Sequence, residues 1–153
     1  MKITYKGDYA LKALFQLALR FHDAGGVMSI NEIANFGDMP TKFLEQILLI
    51  LRKGGFVKSK RGVRGGFILA KDPKDITVGE VIRHIEGPIE PIACIREDRY
   101  RGCKDTSSCI FRDVWKEVSG AISIVIDTLT FEELILRHKE KKLILAPVFD
   151  YVI

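Results

Sequence analysis

Residues 29–55 have the sequence SINEIANFGDMPTKFLEQILLILRKGG. Ser29 and Glu32 form an S-x-x-E capping box, in which each side chain satisfies an exposed backbone N–H of the other, so a helix should begin here. Gly37 should break that helix, and Asp38-Met39-Pro40 should begin the next one, because proline is tolerated in a first turn. Two helices joined by so short a turn predict a helix-turn-helix.

Residues 56–69 follow with the sequence FVKSKRGVRGGFIL, which has two short strand patterns around a basic, glycine-rich tip. This arrangement is typical of a β-hairpin. A helix-turn-helix followed at once by such a hairpin indicates a winged helix-turn-helix domain. We therefore predict a fold that is mainly α with a small β-hairpin, to which a long dimerisation helix is added.

The dimerisation helix is predicted from six apolar residues that recur at alternating steps of four and three, as in a coiled-coil seam: Phe111, Trp115, Val118, Ile122, Val125 and Leu129. A single seam in a small protein is best buried against a second copy, so we expect a homodimer with twofold symmetry. The alternative is that this helix packs on its own domain.

Two more capping boxes mark helices on either side of that seam. Thr77 with Glu80 predicts a helix that ends near Gly87-Pro88. Thr130 with Glu133 predicts a short last helix, after which the tail from Leu143 to Ile153 is apolar apart from Asp150.

These elements divide the 153 residues into four parts. A winged helix-turn-helix domain occupies 1–87, a cysteine loop 88–109, the dimerisation helix 110–129, and a C-terminal helix and tail 130–153. The chain is 47% hydrophobic, which suffices for one core of ordinary size. No apolar run reaches bilayer length and no signal-peptide pattern is present, so we expect a cytoplasmic protein with no membrane partner.

Positive charge is concentrated in the first part of the chain. Residues 1–72 contain 12 Lys and Arg against 6 Asp and Glu, and the remaining residues contain 12 against 14. Such asymmetry suits a segment that neutralises phosphates, although extra lysines can also form a solvated face.

The predicted recognition helix should contact base edges in the major groove through side chains near its N-terminus: Thr41, Lys42, Glu45 and Gln46. The hairpin should enter a minor groove, or grip its flanking phosphates, through four basic side chains: Lys58, Lys60, Arg61 and Arg64. The helix face alone could equally be a solvated polar face, but helix and hairpin together predict DNA binding. No phosphate loop, catalytic triad or paired-carboxylate pattern rises above chance, so we expect no enzyme activity.

The cysteines are Cys94, Cys103 and Cys109, with the spacing C-x8-C-x5-C. An odd number of clustered thiols without an export signal argues against a disulfide framework. Thiolates bind iron–sulfur clusters and zinc, but both usually take four ligands, and this segment offers three. The spacing alone leaves open a cluster, zinc or unligated thiols.

Five blocks of the sequence match a pattern found in bacterial regulators: MKITYKGDYA at 1–10, FLEQI at 43–47, LRKGG at 51–55, RGVRGGF at 61–67 and ITVGEVI at 76–82. In these blocks the chain resembles the Rrf2 family of winged-helix transcription regulators. The resemblance extends to about residue 133, through the cysteine loop and the dimerisation helix. It implies a homodimer on pseudo-palindromic promoter DNA, with the recognition residues on the same helix positions and the wing arginine at Arg61.

The resemblance also implies that the three cysteines are the family's cluster-binding cysteines, holding a 2Fe–2S or a 4Fe–4S cluster. Cluster regulators of the family have a histidine ligand three residues after the last cysteine. Here that position is Arg112, whose guanidinium cannot ligate, and the first cysteine gap is longer than usual. In nitric-oxide-sensing members an N-terminal carboxylate of the partner subunit completes a four-iron cluster, which implies Asp8 as the fourth ligand. Asp8 has an alternative role at a helix start, where an acid favours the dipole and caps N–H groups.

These observations predict a sequence-specific regulator, acting as a repressor, in which cluster state changes the spacing of the two recognition helices. Spacing decides the fit to the operator. Two alternatives stay open at this point. One is a cluster-free regulator that senses through free thiols or zinc, and the other is an iron–sulfur electron carrier whose basic surface serves a protein partner.

Overall fold

The computed structural model describes residues 3–23, 26–95, 103 and 107–145. Within these residues the chain forms six α-helices and one two-stranded antiparallel sheet, in the order α1 (Tyr5–Leu19), α2 (Ile30–Gly37), α3 (Thr41–Lys53), β1 (Val57–Lys60), β2 (Gly66–Leu69), α4 (Val78–Glu86), α5 (Ile110–Thr128) and α6 (Phe131–Leu145). The predicted fold class, mainly α with a small β-hairpin, is confirmed. In this part of the chain no helix is both long enough and apolar enough to cross a membrane.

Helix α2 begins as the sequence predicts, with the reciprocal capping box between Ser29 and Glu32. The helix ends at Gly37, where the sequence predicts the break, and Asp38 makes the turn in the left-handed region at φ 49°. The side chain of the buried Met39 packs beside Gly37, where a Cβ would lie 2.9 Å from Cε. Helix α3 starts later than predicted, at Thr41, with Pro40 as its N-cap residue.

The core lies between α1, α2, α3 and α4, and the first residues of α6 complete it. Its largest fully buried side chains come from these helices, from β1 and from the segments before α2 and α4: Leu14, Leu17, Met28, Ile33, Leu44, Ile47, Leu48, Leu51, Val57, Ile76, Val81 and Phe131. The helical residues among them lie on the apolar stripes of their helices, so burial of the stripes holds the domain together.

Helix α6 is longer than the short helix predicted, with 15 residues. Phe131 and Ile135 are buried in the core, and the His138 ring lies edge-on to Phe15 of α1 at 5.3 Å, so tertiary packing extends the helix. The Glu133 N–H donates to Thr130 Oγ1 at 3.2 Å, which is one half of the predicted capping box, while the Glu133 carboxylate pairs with Arg137. Residues 146–153 of the predicted apolar tail lie outside the described residues.

Helix α5 lies against α4 and leaves four of its six seam residues exposed, while Ile122 and Leu129 are half-buried. None of its residues is buried, and the seam residues Phe111 and Val125 are 69% and 63% exposed. Gly79 of α4 allows the close approach of the two helices, because a Cβ there would overlap the Asp127 carboxylate. In the described part of the chain, the seam is therefore not buried against its own domain.

Candidate nucleic-acid interface and cysteine segment

The outward face of α3 has the polar residues that the sequence assigned to base recognition. Lys42, Glu45 and Gln46 are exposed, and Thr41 is half-buried at the helix start. In the part of the chain that the structure describes, none of these four side chains forms a hydrogen bond or an ion pair. The opposite face of α3 is buried through Leu44, Ile47, Leu48 and Leu51, which fixes the rotation of the helix and keeps the polar face outward.

The hairpin between β1 and β2 has its basic side chains exposed from end to end. The strands pair from Val57 with Leu69 to Lys60 with Gly66. A turn follows in which Gly62 has φ 116° and the Gly65 N–H donates to the Gly62 carbonyl at 2.9 Å. The four predicted wing contacts all lie on this exposed hairpin: Lys58, Lys60, Arg61 and Arg64.

Backbone hydrogen bonds attach the hairpin to the helix-turn-helix. Met28, directly before α2, exchanges two bonds with Phe67 of β2, at 3.0 and 2.8 Å. Gly66 permits this contact, because a Cβ at that position would lie 2.2 Å from the Met28 carbonyl oxygen. At the other end of the hairpin, the Phe56 N–H donates to the carbonyl of Leu51 in α3 at 3.0 Å. Hairpin and recognition helix thus form one rigid unit.

Two basic residues that the sequence reasoning did not assign to DNA lie where this unit joins. Arg52 of α3 and Lys71 after β2 line a groove together with Lys58 of the hairpin. The Lys71 ammonium also lies 5.6 Å from the centre of the Phe56 ring. A sequence signal was present, since both are basic residues next to predicted contacts, but only the fold brings them to the same groove.

The three cysteines are free and lie at different positions along one segment. Cys94 is half-buried in a single 3-10 turn (Ala93–Ile95), Cys103 is exposed, and Cys109 is the half-buried N-cap residue of α5. Across the described residues, no group of three or more Cys, His, Asp and Glu is placed to hold a metal ion. Residues 96–102 and 104–106 of the predicted cysteine loop lie outside the description.

Arg112 connects the two ends of the cysteine segment. Its Nε donates to the Cys94 carbonyl at 2.9 Å, and its backbone N–H donates to the Cys109 carbonyl at 3.1 Å. The sequence reasoning excluded Arg112 as a ligand without giving it another role. In the structure it holds the turn of Cys94 against the first turn of α5.

Asp8 lies in the first turn of α1, and its carboxylate forms an ion pair with Lys12 at 2.7 Å. That hydrogen bond and the negative charge raise the pKa of Lys12 above its ordinary value of 10.5. The helix start is capped by other residues. Thr4 accepts from the Lys6 N–H at 3.2 Å, and Glu86 of α4 accepts from the Gly7 N–H at 3.0 Å. The carboxylate of Asp8 is not used as a cap, and its side chain is 45% exposed.

Comparisons with known proteins agree with this geometry. A family model for Rrf2, described as an iron-dependent transcriptional regulator, matches residues 3–137. A putative rrf2-like HTH-type transcriptional regulator of Rhodobacter capsulatus is 42% identical, over 87% of this chain and 91% of its own.

Two solved structures are also similar. The first is the global cysteine regulator CymR of Bacillus subtilis, with a TM-score of 0.72 and 34% identity over 88% of this chain and 95% of that one. The second is IscR of T. potens, with a TM-score of 0.74 and 33% identity over 92% of this chain and 90% of that one.

Proposed function

The chain belongs to the Rrf2 family of helix-turn-helix transcriptional regulators, and from this premise we propose that it is a homodimeric repressor controlled through its cysteine segment. Each subunit contributes one winged helix-turn-helix to an operator with two half-sites. The division into a DNA-binding domain at 1–87, a cysteine segment at 88–109, a dimerisation helix at 110–129 and a C-terminal part at 130–153 belongs to this proposal. As a regulator of promoters it acts in the cytoplasm and needs no catalytic centre.

One observation carries the DNA-binding part of the proposal. The basic hairpin is bonded to α3 through Phe56 and Leu51 and to the segment before α2 through Met28 and Phe67, so it has a fixed position beside the exposed polar face of α3. A rigid helix and a rigid wing can engage a major groove and the adjacent minor groove together. Gln46 then pairs with adenine, Glu45 accepts from a cytosine amino group, and Lys42 donates to guanine or to a phosphate, while Thr41 reads the flanking position.

The wing residues act mainly through charge. Arg61 and Arg64 at the tip enter the minor groove, where the negative potential attracts guanidinium groups. Lys58 and Lys60 on β1 neutralise phosphates beside it, and Arg52 and Lys71 extend the same positive surface.

The test is a titration of the purified dimer with the DNA duplex that the protein itself selects from a random pool, at several salt concentrations. Binding should fall steeply with salt, and Arg61→Ala should reduce the slope of log K against log salt by about one. Gln46→Ala should cost about 1–3 kcal/mol, chiefly for duplexes with one particular base pair. Lys139→Ala, an exposed lysine on α6, is the matched control and should bind as the unmodified protein does. A salt-independent affinity, or no selected duplex, contradicts the proposal.

The sensing part of the proposal assigns an iron–sulfur cluster, 2Fe–2S or 4Fe–4S, to Cys94, Cys103 and Cys109, with Asp8 from the partner subunit as fourth ligand. The donor chemistry fits, because the three thiols are free and the Asp8 carboxylate is nearly half exposed. Among the described residues of one chain these side chains do not form a ligand group, so their convergence in the dimer is part of the proposal. A bound cluster supplies a group that changes on oxidation, nitrosylation or loss.

This part is tested by anaerobic purification followed by visible absorption and by iron and sulfide analysis. Replacing all three cysteines by serine should abolish the absorption and the dependence of DNA affinity on cluster state. Asp8→Asn should weaken cluster retention while leaving the affinity of the cluster-free protein for DNA unchanged. Colourless, iron-free protein from anaerobic cells contradicts the cluster assignment.

A second candidate is sensing by free thiols or by zinc, and one observation favours its free-thiol form. Cys103 is exposed and unpaired, and no three-ligand group is assembled around it in the described residues. Zinc in the metal analysis, or an affinity for DNA that responds to peroxide in iron-free protein, would select this candidate. The electron-carrier alternative has no support from the similar proteins, which are regulators.

A further inference from the structure

Helix α4 has polar residues near its C-terminal end that bind three different elements. Arg83 binds α5, His84 binds α3, and Glu86 binds the start of α1. The helix is only 9 residues long, and its opposite face is buried through Val81, Ile82 and Ile85. A short helix that is held in the core on one side and bonded to three neighbours on the other has little freedom to move independently of them.

The bond from His84 reaches the recognition helix itself. His84 Nε2 lies 3.0 Å from the carbonyl oxygen of Ile50, in the last turn of α3. Because a carbonyl only accepts, the imidazole must donate from Nε2. The ring also covers Gly54, where a Cβ would lie 2.5 Å from Nε2, and it packs 5.4 Å from the Phe56 ring. His84 therefore fixes the point at which α3 passes into the hairpin.

The adjacent residue, Arg83, reaches the dimerisation helix. Its guanidinium forms a bidentate ion pair with the Asp127 carboxylate, with Nη2 at 2.9 Å from Oδ2, and Nη2 also donates to Ser123 Oγ at 3.1 Å. The bidentate form fixes direction as well as distance. Two consecutive residues of α4 thus connect the end of the recognition helix to α5.

We propose that His84 is a positioning residue for DNA recognition, which together with Arg83 sets the angle between α3 and α5 and so the half-site spacing that the dimer accepts. The inference rests on the proposed function, because the spacing has meaning only for a dimer on two half-sites. The connection runs in series from α3 through His84, α4 and Arg83 to Asp127 of α5. Breaking either bond should therefore loosen the same angle.

The experiment compares three duplexes: the one selected by the unmodified protein, and two derivatives with one central base pair added or removed. His84→Leu keeps bulk over Gly54 but removes the donor. It should narrow the difference in affinity between the selected and altered spacings by about two- to tenfold, the range for one hydrogen bond. His84→Gln, whose amide can still donate to Ile50, should preserve most of that difference.

Two further variants separate positioning from general weakening. Asp127→Ala cuts the other end of the connection and should narrow the spacing preference as much as His84→Leu does. The double variant should lose no more than either single one, since the two bonds act in series. Glu86→Gln is the matched control on the same helix, and because it contacts only α1 it should leave the spacing preference unchanged.

The outcomes distinguish this inference from the proposed function. If the unmodified protein selects a duplex, and His84→Leu then weakens all three duplexes equally, the positioning role is overturned while the proposed function stands. An equal shift from Glu86→Gln overturns it as well. If the unmodified protein selects no duplex, both are overturned.

Discussion

Gly66 is the residue at which the wing and the helix-turn-helix come closest. Its missing side chain lets β2 lie against the backbone before α2, where a Cβ would be 2.2 Å from the Met28 carbonyl oxygen. The obstacle is backbone on both sides, so it cannot move aside as a flexible side chain would. The close contact between the wing and the start of the helix-turn-helix therefore depends on a single glycine.

Gly66→Ala should break the Met28–Phe67 bonds and destabilise the domain by about 1–3 kcal/mol, the usual cost of overpacking. The measurement is urea denaturation, together with hydrogen exchange at Met28 and Phe67. Gly120→Ala is the matched control. Gly120 lies in α5 with open space around it, so alanine should be neutral or stabilise by about 0.5–1 kcal/mol through helix propensity. Equal denaturation midpoints for the two variants would contradict the close-approach argument.

Arg112 acts on the cysteine segment through one hydrogen bond to the Cys94 carbonyl. Arg112→Ala should let the turn of Cys94 open more often, so the rate of alkylation of the half-buried Cys94 thiol should rise by about two- to tenfold. The exposed Cys103 is an internal control, because its access to reagent does not depend on Arg112. Mass spectrometry of peptides alkylated for increasing times measures both rates. An unchanged rate at Cys94 would show that Arg112 does not hold the turn.

At the scale of elements, the sequence pattern was sufficient to predict interactions between residues that are close together in the chain. The capping boxes at Ser29 and Thr77 involve residues three apart in the chain, and both are formed as predicted. The break at Gly37 is also where α2 ends, although Asp38 rather than the glycine adopts the left-handed conformation of the turn. The start of α3 was predicted too early: Asp38, Met39 and Pro40 precede the helix, and Met39 is buried in the core, which the local pattern does not encode.

The capping box of α2 gives a pH dependence. The backbone N–H and the hydroxyl of Ser29 both donate to the Glu32 carboxylate, and these bonds lower the pKa of Glu32 below its ordinary value of 4.5. A carboxylate with a lowered pKa in the folded state stabilises the fold above the unfolded value and loses this effect as pH falls through the folded value. The contribution should therefore be complete at neutral pH and disappear below 4.5.

Glu32→Ala tests this expectation through the urea midpoint as a function of pH. The variant should have a lower urea midpoint than the unmodified protein at pH 7, and the difference between the two midpoints should close as the pH falls below 4.5. Glu32→Gln provides the control: its amide oxygen accepts from Ser29 at every pH, so the difference in midpoint between Glu32→Gln and Glu32→Ala should stay constant. A gap for Glu32→Ala that is the same at low and neutral pH would exclude the carboxylate as its cause.

At the scale of the whole molecule, the sequence predicted the parts better than their connections. The exposed positions of Lys42, Glu45 and Gln46 follow from helical periodicity alone, and the family blocks at 43–47 and 61–67 agree with it. The bonds of Arg83, His84 and Glu86 join residues between 34 and 82 positions apart, and no periodic pattern encodes them. The relation of Cys94 to Cys109 is beyond sequence for the same reason, because it depends on the bond from Arg112 of α5 to the Cys94 carbonyl.

The uncovered seam of α5 leads to the last prediction. Most of its apolar residues are exposed in one chain, with Phe111 at 69% and Val118 at 37%, and an exposed apolar face of this kind marks an interaction site. Because Val118 is not one of the buried core residues, Val118→Glu should leave the circular dichroism spectrum and the domain fold unchanged. The charge should prevent two seams from meeting, so analytical ultracentrifugation should show a monomer.

The same variant links dimer formation to DNA binding. A monomer engages each half-site separately and loses the advantage of the second contact, so its affinity for a two-half-site duplex should drop by about a hundredfold or more. Its affinity for a single half-site should equal that of the unmodified protein, because α3 and the wing are untouched. Glu117→Lys is the control on the same helix, exposed and outside the seam, and should remain dimeric. A dimer that persists in Val118→Glu would place the interface elsewhere on the chain, and an equal loss on the single half-site would show that α5 acts on the winged domain directly.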